Sequence, residues 1–451
     1  MAVFVREKAF YKTFFSMVFT IAMQNIIVYA VNLADNVMIG GYSELSLSAV
    51  AVVNQIQFML QMIALGTSNG LTVLSSQYWG TKRTEPIRRV FTVSLAFATV
   101  LTMVIFLAVQ LAPHGVLTLL TNQAAVVEEA KPYLFIVSFS YLPFAFSQLM
   151  LALMRSVEKV KIGFGVSVVA LFVNVILNYV LIYGKFGFPM LGIKGAAIAT
   201  LISRIVEFAV VAVYVFAADK NVKLKITDLV KLEKNYIKDY IKYGCPLVLS
   251  AGSWGIAMTI QGAILGHLGS ETVLSANSIA STVFQIVSVI AYAGSSVAGV
   301  IIGKTVGENR IDDVKKYTKT LQVLFLIIGI LSGLVLFLFK DEFISLFDVG
   351  EETRKLADTF MTILCVSLVG TAYEAPVLCG IVAGGGETDF VFKNDLIFMW
   401  GIVLPAAVLS AFVFHFPPAV TFACLKVDQV LKCAVAVVKV NRYKWIKKVT
   451  R

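Results

Sequence analysis

What most constrains this chain is a succession of long, nearly uncharged apolar runs. Twelve are readable, near residues 13–39, 47–74, 88–111, 132–154, 162–184, 192–218, 242–267, 272–303, 317–339, 356–382, 391–414 and 416–438. A helix needs about 20 mostly apolar residues to cross a bilayer, whereas a barrel strand needs about ten of alternating polarity. Backbone in hydrocarbon must satisfy its own hydrogen bonds, and continuous runs of this length do so as helices. The expected fold class is an all-α integral membrane protein with twelve transmembrane helices. Composition agrees: 14% of residues are charged, against roughly 25% in soluble chains.

The formal net charge of +11 does not point to nucleic acid. The basic residues cluster in short stretches between apolar runs, and no aromatic-basic interleaving accompanies them. They set topology instead. The even-numbered connections are basic: KRTEPIRR (82–89), RSVEKVK (155–161), 219–242 and KTVGENRIDDVKK (304–316). The C-terminal NRYKWIKKVTR is basic too. The odd connections GGYSELS (40–46), HLGSE (267–271) and FHFPP (414–418) are poorer, and KDEFISLFDVGEETRK (340–355) mixes three basic residues with several acids. Both termini are therefore expected in the cytoplasm. The basic N-terminus precedes a run too long for a signal-peptide core, so that run reads as a retained first span. The flanks suit a bacterial inner membrane.

The chain repeats with an offset of 227 residues. SSQYWGTKRTEPIRRV (75–90) aligns without gaps to the stretch beginning at Ile302. Gly80 pairs with Gly307, Glu85 with Asp312, Arg88 with Lys315 and Arg89 with Lys316. Six spans per copy in one orientation make a parallel six-plus-six repeat. The expected domains are an N-terminal lobe (1–218), a cytoplasmic linker (219–241) and a C-terminal lobe (242–451). Repeat-built transporters bind substrate within or between such halves.

Asp35 closes the apolar run FFSMVFTIAMQNIIVYAV in NLADNVMIGG (32–41). An acid at mid-membrane costs roughly 2.5–3.5 kcal/mol, so the position needs a reason. Asn25, Tyr29, Asn32 and Asn36 follow helical spacing and make a polar stripe, with Asp35 at its edge. Such a stripe should face protein or water. Asp35 could exchange a proton or coordinate a cation, or it could be a solvated helix-end residue. Asn174 and Asn178 share a face in the fifth span. Buried amides need partners, and an acid on a neighbouring helix would serve. Thr200 offers a hydroxyl in the sixth span, where Arg204 and Glu207 are spaced to pair. The slot matching Asp35 in the second half is Gly262, beside Gln261. Glu374 lies deep in span ten, two residues before Pro376. Asp395 lies early in span eleven and reads as solvated or as a cavity residue. Gln24, Asn54, Gln57, Asn277 and Gln285 are further cavity candidates. Pro246 opens span seven and Pro405 interrupts span eleven, where a kink is expected. Five scattered Cys read as small buried hydrophobes, and three scattered His make a metal site unexpected. No Walker A pattern is present, so ATP drive is unsupported. AGGGET (383–388) reads as a flexible cytoplasmic connection. Arg and Lys are read as avoiding span centres, Arg204 excepted.

These residues carry a resemblance. LADNVMIGG, SSQYWG, NVILNYVLIYGKFGFPMLGIKGAAIAT (174–200), AGGGETDFVFKNDLIFMWGIVLP (383–405) and the terminal KWIKKVTR together resemble the multidrug and toxic compound extrusion (MATE) transporters over essentially the full chain. The DNA-damage-inducible F-like branch looks nearest. The resemblance implies a V-shaped protein of two six-helix lobes that exports organic, often cationic compounds in exchange for protons or sodium. It implies Asp35 as the coupling residue, with Asn174, Asn178 and Thr200 as ion-coupling partners. Asn178 departs from that branch, which has an acid there. The sodium-linked branch has a span-seven glutamate, which SAGSWGIAM (250–258) lacks.

The expected activity is therefore ion-coupled antiport of small organic cations or other amphipathic drugs across the bilayer. The chain is expected to work as a monomer, with no cofactor, metal or nucleic-acid partner. The alternative is a lipid-linked oligosaccharide flippase of the same wider superfamily. A membrane-embedded enzyme would need clustered His, Ser or paired acids, which the sequence does not offer.

Overall fold

A computed structural model of the chain describes residues 4–268, 271–347 and 349–451. Gly269, Ser270 and Asp348, in two of the connections read above, lie outside the described residues. Twelve long helices among the described residues carry the fold. They are α1 (Lys8–Gly40), α2 (Glu44–Gly80), α3 (Thr84–Leu111), α4 (Ala124–Ser156), α5 (Lys161–Tyr183), α6 (Ile193–Ala218), α7 (Cys245–Gly266), α8 (Glu271–Gly307), α9 (Ile311–Ser345), α10 (Glu351–Val382), α11 (Thr388–Val413) and α12 (Pro418–Asn441). No strand forms among the described residues. The first eleven helices are long and apolar enough to cross a membrane. The last is 24 residues long but carries Lys426, Asp428, Lys432 and Lys439.

The apolar surface explains why a bilayer suits these helices. On α9, Val323, Leu326, Ile327, Ile330, Leu334, Leu338 and Phe339 are all exposed. Their span, at 1.5 Å per residue, covers about 24 Å of a hydrocarbon core roughly 30 Å thick. α10 is the most enclosed of the eleven, with 83% of its apolar window buried. Proline shapes the later helices. Pro376 has no N–H to donate, and α10 winds wide, as a π-helix, over Pro376–Val382. α11 does the same over Met399–Val403 and Leu409–Val413, on either side of Pro405.

The chain divides into two compact units. One comprises Met23–Ser75 and Arg83–Val248; the other comprises Met1–Ala22, Ser76–Lys82 and Leu249–Arg451. They are called the first and second unit below. The first unit is built on Val53, Leu60, Leu134, Ile182 and Ala197. It includes the segment 219–241, which is fastened rather than loose. Arg89 Nε lies 2.8 Å from Glu233, Thr92 donates to the Asp228 carbonyl at 3.0 Å, and Arg88 lies 3.5 Å from Asp228. A short helix, Lys234–Tyr243, then buries Tyr240 fully, with its hydroxyl donating to the Thr67 carbonyl at 3.1 Å.

The second unit is built on Ile279, Val283, Phe360, Leu364, Leu368 and Phe422, with Phe360 and Phe422 stacked at 4.1 Å. Its tightest place is the crossing of the ends of α2 and α8. A Cβ on Gly80 would overlap the Lys304 carbonyl oxygen, and one on Gly307 would overlap that of Gln77. The two glycines that correspond in the repeat thus serve the same crossing from opposite sides. Only a hydrogen at each lets the backbones approach so closely.

The AGGGET connection differs from expectation. Residues 383–386 are buried. Gly384 packs on the Gly299 backbone, and Gly385 on the fully buried Trp445 ring. Gly386 takes φ +98°, a left-handed value suited to glycine. The C-terminal segment holds this connection in place: Lys447 N donates to the Gly385 carbonyl at 2.7 Å, and Val449 N to Gln77 Oε1 at 2.9 Å. Glycine content alone points to flexibility; here the glycines permit close packing.

Gly80→Ala is expected to lower stability by about 1–3 kcal/mol, because backbone atoms cannot yield to the added methyl. Thermal unfolding in detergent measures this. The Gly80→Ala/Gly307→Ala double variant should lose less than the sum of the singles, since one forced separation relieves both.

Candidate functional site

The first unit brings together Asp35, Asn174, Asn178 and Thr200. The α5–α6 hairpin sets their register. α5 ends at Gly184, in a left-handed conformation with φ +64°. Leu191 N then donates to the Leu181 carbonyl at 2.9 Å. A Cβ on Gly195 would come within 2.6 Å of that same carbonyl oxygen, so α6 starts hard against α5. α5 is tied to α1 by Tyr183, whose hydroxyl donates to the Met38 carbonyl at 2.8 Å. These ties place the α5 amides level with Asp35.

The centre of the site is a carboxylate held by an amide. Asn178 Nδ2 donates to Asp35 Oδ1 and, at 3.2 Å, to Asn174 Oδ1. Both asparagines are buried, at 0% and 1% exposure, while Asp35 is half-buried. Among the described residues Asn178 Oδ1 has no hydrogen-bond partner, and Asn174 Nδ2 makes none of good geometry although Asp35 lies close to it. Buried amide atoms in that condition are uncommon, and they mark hydrogen-bonding capacity beside the acid. Tyr133 of α4, buried, neighbours both Asp35 and Thr200 and is within hydrogen-bond reach of the threonine. Arg204 lies within electrostatic reach of Asp35. Its guanidinium donates to Glu207 Oε2 at 2.7 Å and sits 4.8 Å from the Phe144 ring centroid. Gln148 Nε2 reaches the other Glu207 oxygen at 3.5 Å.

The remaining α1 and α2 candidates scatter. Asn32 and Asn36 are exposed, and Asn25 and Tyr29 are half-buried. Gln24 is buried, with its amide filling the space over Gly163. Asn54 is exposed and Gln57 half-buried.

The second unit holds a separate group of charges. Lys432 of α12 is 5% exposed. Its ammonium lies 3.0 Å from Asp395 of α11 and 3.3 Å from Asp428 one turn earlier. Ser250 of α7 donates to the other oxygen of Asp395. Glu374 of α10 is half-buried and within electrostatic reach of Lys432, Asp395 and Asp428. Asp395 is therefore an ion-paired residue rather than a solvated one. The expectation that Lys and Arg avoid span centres fails here, because three carboxylates offset the buried cation. Gln261 is buried, with its amide 3.3 Å from Met399 Sδ. Asn277 is half-buried and accepts from Ser281 at 3.4 Å; Gln285 is exposed.

Sequence reading missed Tyr133, Lys432 and Asp428. Tyr133 gives no signal inside an apolar run. Asp428 and Lys432 do, being an i, i+4 pair within a span. All five cysteines are free, and among the described residues no His, Cys, Asp and Glu group could hold a metal ion.

Helices of this length and apolarity are those of a multi-pass membrane protein, and the family match makes it a transporter. The chain belongs to the MatE family, which matches over residues 20–180 and 246–415. It is 24% identical over 404 residues to the uncharacterized transporter YisQ of Bacillus subtilis, covering 88% of this chain and 87% of that one. It is also 24% identical over 396 residues to the probable multidrug resistance protein NorM of Streptococcus pneumoniae, covering 88% and 87%. Among solved structures, an aspartate-to-asparagine mutant of the Vibrio cholerae MATE transporter VcmN superposes with a TM-score of 0.87 at 18% identity, over 97% of this chain and 98% of that one. The fold is thus the all-α, two-lobed, twelve-span MATE architecture.

Arg204→Met should destabilise the protein by about 3–5 kcal/mol, because it strands Glu207 as a buried, uncompensated charge. Arg204→Met/Glu207→Gln should recover most of that loss. Thermal unfolding of the two variants in one detergent checks both expectations.

Proposed function

We propose that this chain is a secondary active multidrug efflux antiporter. It exports small organic, often cationic compounds in exchange for H+ or Na+ by alternating access, with Asp35 as the main coupling residue. The observation that carries this reading is the Asp35–Asn178 pair. An acid placed where charge is costly is held by a side chain that suits both of its protonation states. As a carboxylate, Asp35 accepts from the Asn178 amide N–H. As a carboxylic acid it donates, and a half-turn of the amide presents Oδ1 to receive that hydrogen bond. Because residue 178 is an amide rather than a second acid, the pair carries one exchangeable charge. Asn174 and Thr200 add oxygens from which a small cation could be coordinated.

One charge is enough for useful work. A membrane potential supplies about 2.3 kcal/mol per charge per 100 mV. At ~150 mV that is about 3.4 kcal/mol, or a few hundredfold in drug concentration. The names of the relatives support drug efflux, and the basic connections support a bacterial inner membrane with both termini cytoplasmic. Asn174 and Thr200 match the pattern of the DNA-damage-inducible F-like branch, from which Asn178 departs. The protein acts as a monomer on this reading. The flippase alternative gains nothing from Lys432, whose charge is offset by neighbouring acids rather than offered to an anionic headgroup.

The test is ethidium efflux from reconstituted vesicles under an imposed proton or sodium gradient. Wild type should pump with one gradient. Asp35→Asn should express and unfold at a similar temperature yet lose gradient-driven efflux at least tenfold. Undiminished efflux in the mutant would remove Asp35 from coupling, and no efflux from wild type would defeat the export reading.

A further inference from the structure

The second unit contains a feature that coupling at Asp35 does not use. A buried ammonium stands between two carboxylates from two helices, with a third, from α10, within electrostatic reach. Lys432 pairs directly with Asp395 and Asp428, at 3.0 and 3.3 Å, and Glu374 completes the group from α10. Other side chains adjoin it, with the Cys433 thiol beside Glu374. Ser250 contributes a hydroxyl from α7, Cys379 a thiol from α10, and Phe398 a ring 6.0 Å from the ammonium. Lys426, within electrostatic reach of Asp428, has its ammonium 5.8 and 5.7 Å from the Phe284 and Phe422 ring centroids.

Without the ammonium, Asp395 and Asp428 would be left with no cation at the position it now fills between them, in a medium that screens poorly. A sodium ion arriving there would need several oxygens at short range and would find two engaged by a like charge that cannot leave. A proton needs only a lone pair on one carboxylate oxygen and displaces nothing.

We propose that Lys432 is a tethered counter-cation that occupies the cation position between Asp395 and Asp428 and so closes the second unit's acid cluster to sodium. The assignment extends the ion-coupled reading above and rests on it for its role in transport, but it makes a claim about binding that can be tested apart from transport.

The test uses the purified full-length protein in detergent. Its unfolding temperature is followed as sodium chloride replaces choline chloride at constant ionic strength. Wild type should show no saturable response. Lys432→Gln, which leaves the acids without their internal partner, should gain a saturable sodium-dependent rise of several degrees, as binding to the folded state alone requires. Adding Asp395→Asn to that variant should abolish the rise. Should Lys432→Gln alone not fold, Lys432→Gln/Asp428→Asn takes its place, since it removes the base together with one acid and keeps Asp395 and Glu374. A saturable response in wild type that Asp395→Asn removes would overturn the proposal, as would a folded Lys432 variant indifferent to sodium. Failure of ethidium efflux would sink the export reading but leave this sodium response unchanged.

Discussion

Everything in this molecule depends on the cost of leaving a charge alone in hydrocarbon. Each ionisable group that enters a span must bring its partner or be met by one from another helix. The first unit meets Asp35 with a neutral amide on α5 and holds Arg204 against Glu207 one turn away. The second meets its acids with a permanent cation on α12. The helix packing follows from these needs: Gly195 brings α6 against α5, and the wide turn after Pro376 follows directly on Glu374.

The two copies of the repeat read in the sequence differ in chemistry. The position of Asp35 corresponds to Gly262, and nothing in the first half matches Lys432 at the equivalent distance. A neutral partner leaves an acid free to change charge with little penalty in its surroundings. A charged partner fixes the acids more firmly and restricts what can replace it. Two copies of a fold can in this way hold one adaptable centre and one rigid one.

Much of the fold was legible because bilayer thickness translates directly into run length. All twelve runs became helices at the expected places, with ends shifted by a few residues. The pairing of an acid with the Asn174–Asn178 face was foreseeable, since buried amides demand a partner. Other features were hidden for physical reasons. Glycine content cannot distinguish a loose loop from one packed against Trp445. A lysine in LKVDQVLKCAV looks like a helix-end charge until the acid of another span, Asp395, is found beside it. Tyr133 is one aromatic among many, and only its neighbours give it a role.

The crossing of Gly80 and Gly307 bears on ancestry. The two residues occupy the same place in the two copies, and each lies against the backbone of the other copy's helix end. In a forebear that carried a single copy, one glycine would have lain against the residue three positions earlier on a second chain, and the contact would have been made twice. Such a self-complementary patch is the signature of a two-fold dimer. On that view, gene fusion did not create this contact. It inherited one that two separate subunits had already made, and it freed each side to change without the other.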